Sequence, residues 1–242
     1  MTPLLPLTAL PDRPVEVDAA RLLLVVNRFA TTPDDTIHQL RCWPARVVSR
    51  YLTPEYYLQK LDFLVRYPAY LAYELVELHR LGVLSALDAT AVQADVRTLL
   101  GDREPELRTD PFRRFWRGAY ESLDRVEAWW HARGLVFVGH ERRGAEGSPV
   151  RPQKYFFLTP EGERIAISLV AKVGHARWYE DRISLIHRYF GALRPAEVKS
   201  LQYSHPPYRE AQLNEFIPDL AIEEIERNFA ETFGCRLGAL HG

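Results

Sequence analysis

The sequence predicts a mainly α, α+β protein in which one two-stranded hairpin interrupts a series of helices. Three observations carry this reading. Apolar residues recur at helical spacing over much of the chain, as in Leu71, Leu75 and Leu78. Two runs rich in β-branched and aromatic residues, LVFVGH at 135–140 and KYFFL at 154–158, flank a stretch that holds Gly144, Gly147, Pro149 and Pro152. Thr159-Pro160 follows the second run, a capping hydroxyl with proline at the first helical position.

Composition bounds the rest. A chain of 242 residues with 47% hydrophobic and 12% aromatic content fills a core as one large domain or two small ones. The 31 basic and 32 acidic residues leave a net charge of -1, so the molecule as a whole has no field drawing it to nucleic acid or acidic lipid. Contact with DNA must come from a local patch. Cys42 and Cys235 lack metal-ligand or C-x-x-C spacing, which argues against a disulfide framework or zinc module. The first residues are broken by Pro3, Pro6, Pro11 and Pro14 and lack the basic start of a signal peptide, and the LLLVV run at 22–26 is too short to cross a bilayer. A cytoplasmic location with no membrane contact is the expectation.

Taken in order, residues 1–16 read as an extended proline-rich arm. Asp18 is placed to cap a helix through AARLLLVVNRFA, whose continuous apolar run implies burial on most sides. Thr53-Pro54 opens a helix with Tyr57, Leu61, Leu64 and Val65 on one face, and Pro68 ends or kinks it. The next helix runs to Gly82, and DATAVQADVRTLL forms another, closed by Gly101. A charged loop follows. From Pro111, FRRFWRGAYESLDRVEAWWHARGLV reads as a helix with Tyr120, Leu123, Val126 and Trp130 in a stripe and Gly134 as its C-cap. Beyond the hairpin come further amphipathic helices, with Ile222, Ile225, Phe229 and Phe233 at three-four-four spacing. The divisions expected are an N-terminal arm and helix at 1–52, a central domain at 53–170 and a C-terminal helical extension at 171–242.

Helix, glycine, strand, glycine-bearing loop, strand and the LTPEG helix start resemble the hairpin of winged-helix proteins over roughly residues 55–170. That resemblance implies a winged helix-turn-helix with a two-stranded wing. In its DNA-reading members a helix enters the major groove while basic wing residues hold phosphates. The residues placed for such contact are Arg113, Arg114, Arg117 and Arg125 on the helix, with Arg142, Arg143, Arg151 and Lys154 in or beside the wing. Residues 103–154 hold 11 basic against 8 acidic side chains, a modest surplus. The same charges also suit a solvated helix face and a soluble loop.

Upstream, YLQKLDFLVRYPAYLAYEL contains a segment, Lys60 to Pro68, similar to one in the middle components of bacterial ABC-three-component systems. These accompany an SMC- or Rad50-like ATPase in defence against mobile elements. The resemblance implies a non-catalytic subunit bridging the ATPase, an effector and DNA. A stand-alone dimeric transcription regulator, with its terminal helices forming the dimer, is the alternative.

Catalytic patterns do not emerge. His175, Glu180 and His187 are spaced by five and seven and do not reproduce H-E-x-x-H, and His38 with Cys42 has no second pair. G-x-S-x-G, the P-loop and G-x-G-x-x-G are missing from the sequence, so no enzyme activity, cofactor or metal is expected. Glu223, Glu224, Glu226 and Glu231 fall on the polar side of a helix, a solvated face. Adjacent residues on a helix point about 100° apart, so if Trp130 is core, Trp129 is free to anchor a partner. Tyr203 and Tyr208, around the Pro206-Pro207 pair, belong either to a partner-docking loop or to a connector packed on the core.

Overall fold

The computed structural model describes residues 14–40, 42–44, 48–83, 89–101, 113–115, 118–120, 122–143, 151–204, 217 and 220–238. They form a mainly helical protein with a small three-stranded antiparallel sheet.

Helix α1, Val15–Phe29, buries Leu22 through Val26, as its unbroken apolar run requires. It opens earlier than expected. Pro14 stands at the N-cap, where its restricted φ suits the boundary, and Asp18 lies inside the helix, paired with Arg21 at 2.9 Å. A one-turn α2, Asp35–His38, is capped by Asp34, whose carboxylate accepts from Ile37 N at 3.0 Å.

Strand β1, Arg50–Leu52, adds a third strand to the two expected, pairing Tyr51 with Phe157. Thr53 does not cap the helix that follows. Its hydroxyl donates to the carbonyl of Lys154 at 2.8 Å, and Pro54 takes the N-cap of α3, Glu55–Arg66. The expected face of α3 is buried, and Gln59, Lys60, Asp62 and Arg66 are buried with it. Pro68 begins α4, Pro68–Arg80, and Gly82 at φ 68° lies two residues past its end. Helix α5 is Ala89–Gly101.

The region after Pro111 departs from its helical reading. Residues Arg113–Phe115 (β2) and Gly118–Tyr120 (β3) form a small antiparallel pair, and α6 spans only Asp124–Ala132. Strand β3 packs on α3, so a tertiary contact overrides the local periodicity. The core part of the stripe persists: Leu123, Val126 and Trp130 are buried.

Strands β4, Val136–Arg143, and β5, Arg151–Leu158, form the predicted hairpin, and the sheet order is β1-β5-β4. Alternate residues of β5 serve different clusters, as a strand's period of two demands. Phe156 and Leu158 join the main core, which runs from Ala19 to Leu237. Tyr155 and Phe157 join Ile37, backed by Leu40, Cys42, Trp43 and Val48, in a second cluster. Helices α7, Pro160–Lys172, α8, Gly174–Phe190, α9, Pro195–Ser204, and α10, Ile222–Phe233, complete the described chain. In α10 the stripe buries Ile225 and Phe229, half-buries Phe233 and leaves Ile222 exposed.

Candidate nucleic-acid and partner interface

The junction of α6, the hairpin and α7 shows why LTPEG has its residues. Thr159 Oγ1 donates to the carbonyl of Gly134 at 2.7 Å, with the carbonyl of Leu135 3.1 Å away, and accepts from Gly162 N at 2.9 Å. One hydroxyl thus ties the end of α6, the end of β5 and the start of α7 together. Gly162 permits this closeness, because a Cβ there would lie 2.2 Å from the Leu135 carbonyl oxygen. Gly134, at φ 64°, ends α6 and turns the chain into β4. Trp130 secures the helix from beneath, donating its Nε1–H to the carbonyl of Ala19 at 3.0 Å.

Of the residues read as contacting DNA, Arg113 and Arg114 lie on β2, not on a helix, and Arg117 falls outside the described residues. Arg125 is exposed on α6. The hairpin register places Arg142 across from Pro152 and Arg143 across from Arg151, which gathers these three arginines at the hairpin's loop end.

Lys154 faces inward. Its ammonium lies 2.8 Å from Glu127 of α6 and 2.9 Å from Glu55 of α3, with little of its side chain exposed. Burial opposes its charge, but the hydrogen bonds to Glu127 and Glu55 and their negative charge outweigh it, holding Lys154 above the usual lysine range. This triad fixes the angle between the hairpin and two helices.

On α6 the exposed residues are Asp124, Arg125, Ala128, His131 and Ala132, a face of nearly balanced charge. Trp129 is half-buried, not free. Its Nε1–H donates to Glu16 at 3.3 Å, and the Arg133 guanidinium stacks 3.9 Å from its ring centroid. Tyr203 lies in α9, and Tyr208 falls outside the described residues.

Sequence reasoning missed a second cluster, buried under the KLDFL segment. Arg21 donates to both carboxylate oxygens of Asp62, at 2.6 and 3.2 Å, and to Asp18 at 2.9 Å, while Arg66 lies 3.5 Å from Asp62. Lys60 pairs with Glu74 of α4 and sits over the Phe63 ring. Burial pulls Lys60 below the usual lysine range, although Glu74 opposes this. Burial also works against the charge of Arg21, and Asp62 and Asp18 outweigh it. These opposite charges pair across the helices, which makes them joints between α1, α3 and α4.

The histidines of α8 are dispersed. Glu180 pairs with Arg28, His187 packs edge-on against Phe29, and His175 is exposed. Among the described residues no three His, Cys, Asp or Glu side chains converge as metal ligands, and no helix is long and apolar enough to cross a membrane. An open cleft of about 530 Å³ beside α10 is lined by Glu223, Glu226, Arg227 and Arg236, charges of both signs. No protein-family model, curated protein or solved structure matches this chain.

Proposed function

We propose that this protein is a non-catalytic, winged-helix bridging subunit of a prokaryotic multi-component complex, with its wing arginines making an auxiliary contact to DNA. The winged-helix part rests on chain order. Helix α1, strand β1, helix α3, helix α6 and strands β4 and β5 occur in that order, with α2 between α1 and β1 and with α4, α5, β2 and β3 between α3 and α6, and the sheet is ordered β1-β5-β4, an arrangement that suits a three-helix body with its hairpin as wing.

The observation that carries the bridging role is the character of α6, the helix in the groove-reading position. Its exposed face sets Asp124 against Arg125, and its Glu127 is engaged with the wing's Lys154, so it offers little net positive charge to phosphates. Residues 67–123 also intervene between α3 and α6, where a helix-turn-helix joins its two helices by a short turn. That insertion supplies α4 and α5, and the C-terminal α10 packs on α4. The enlarged body suits a protein that holds other proteins. The ATPase-linked, anti-mobile-element setting rests on the similarity of Lys60 to Pro68 alone.

The placement of Arg142, Arg143 and Arg151 at the hairpin's loop end keeps the dimeric DNA-binding regulator as the second reading. Replacing Arg142, Arg143 and Arg151 with Glu separates the two. The bridging reading expects the assembly to remain intact and only DNA affinity to fall. The regulator reading expects promoter binding to vanish, with no assembly to preserve.

A further inference from the structure

Helix α7 leaves the hairpin and packs on α1 and α8 through Gly162, Ala166 and the half-buried Ile165, Leu169 and Val170. Its opposite face holds Pro160, Arg164, Ile167 and Ala171, residues whose spacing of four, three and four lines them along one stripe. Ile167 is 62% exposed, more than any other large hydrophobic among the described residues, and Val173 just past the helix end is 46% exposed. Glu161 and Lys172 border this stripe. They are eleven residues apart, about three turns plus 20°, and therefore share one flank at opposite ends of the helix. Glu161 pairs with Arg164 at 2.6 Å, whereas Lys172 has no ion-pair partner among the described residues.

We infer that α7 is a homotypic docking surface whose occupant is α7 of a second copy, packed antiparallel about a twofold axis through Ile167. A twofold axis perpendicular to two facing antiparallel helices keeps each flank on its own side and exchanges the helix ends. Lys172 lies about 7.5 Å beyond the axis and Glu161 about 9 Å before it, so the axis brings Lys172 of each copy opposite Glu161 of the other. That ion pair forms twice, and each joins the existing Glu161–Arg164 pair. Ile167 meets its own counterpart at the centre. The small Ala171 lies opposite Arg164 and leaves room for its aliphatic stem. Antiparallel alignment also sets the positive end of each helix dipole beside the negative end of the other. Charge complementarity with itself selects a second copy over an unrelated partner.

This inference does not depend on the bridging role, which rests on α6 and the hairpin. Sedimentation equilibrium on the full chain, over a dilution series, tests it. The dimer is expected to weaken roughly a hundredfold with Ile167→Asp. Glu161→Lys or Lys172→Glu alone is expected to weaken it about five- to tenfold, and the two together to restore it. Thermal melts report whether each variant keeps its fold. Ile167→Cys, in a Cys235→Ser background, is expected to yield a disulfide-linked dimer on mild oxidation, because the axis brings the two thiols together. A wild-type chain that stays monomeric throughout the series overturns the inference, as does a dimer that Ile167→Asp and both charge reversals leave intact.

Discussion

Lys154 of β5 and Glu127 of α6 form an ion pair of 2.8 Å, and Glu55 of α3 completes it from the other side at 2.9 Å. A hairpin lysine thereby serves as a brace between the hairpin and the two helices beside it. Lys154→Met is expected to lower unfolding free energy by about 1.5–3 kcal/mol, the range for hydrogen bonds to charged groups. Urea denaturation measures this. The brace also carries a pH signature. With its folded pKa raised, Lys154 contributes fully below the usual lysine value, and that contribution disappears as pH rises through the folded value. The stability difference between wild type and Lys154→Met should therefore shrink at strongly alkaline pH.

Gly162 and Thr159 make the second prediction. Gly162→Ala forces a methyl against the Leu135 carbonyl oxygen and is expected to cost about 1–3 kcal/mol. Thr159→Val removes the cap and the bond to Gly134 and is expected to cost about 1–2 kcal/mol. The two should be non-additive in a double-mutant cycle, because both act on one junction.

The buried pair between α3 and α4 allows a sharper test. Lys60→Met leaves Glu74 buried without its cation and should cost about 3–5 kcal/mol. Adding Glu74→Leu should recover most of that loss, since two apolar side chains replace two desolvated charges. Recovery of stability together with loss of partner binding would show that the pair serves assembly as well as folding.

His187 has its pKa lowered by burial and by the nearby Arg28. A histidine lowered on folding takes up its proton first in the unfolded chain, so its contribution is full above the usual histidine value and falls as pH drops through it. Urea melts over roughly pH 5 to 8 should show a shallower acid-side decline for His187→Gln than for wild type.

What could be read in the sequence was chiefly local chemistry. The cap that Thr159 gives Gly162 N, the helix start at Pro68 and the helix stops at Gly82 and Gly134 act within one turn of themselves, so these roles stand as expected. The hairpin was legible for the same reason, two β-rich runs around a glycine-bearing loop. What depended on distant partners was not. Strand β1 has three residues and exists through its pairing with β5, and β2 and β3 displace the expected helix where β3 meets α3. The site divided along the same line. Arg142, Arg143 and Arg151 lie at the loop end of the hairpin because they flank the loop in sequence, whereas Lys154 is drawn inward by Glu55 and Glu127 from elements about 99 and 27 residues away. Asp18 was read as a cap because capping is local, yet Arg21, held by Asp62 from α3, claims it.

The bridging role is tested most directly by expressing the chain from its native operon with one tagged copy and determining, by mass spectrometry and light scattering, what accompanies it and in what ratio. The account predicts an ATPase chain and an effector at fixed stoichiometry, retained when Arg142, Arg143 and Arg151 are replaced with Glu. A chain that emerges with no other protein, and binds its own promoter with an affinity falling steeply with salt, would contradict it.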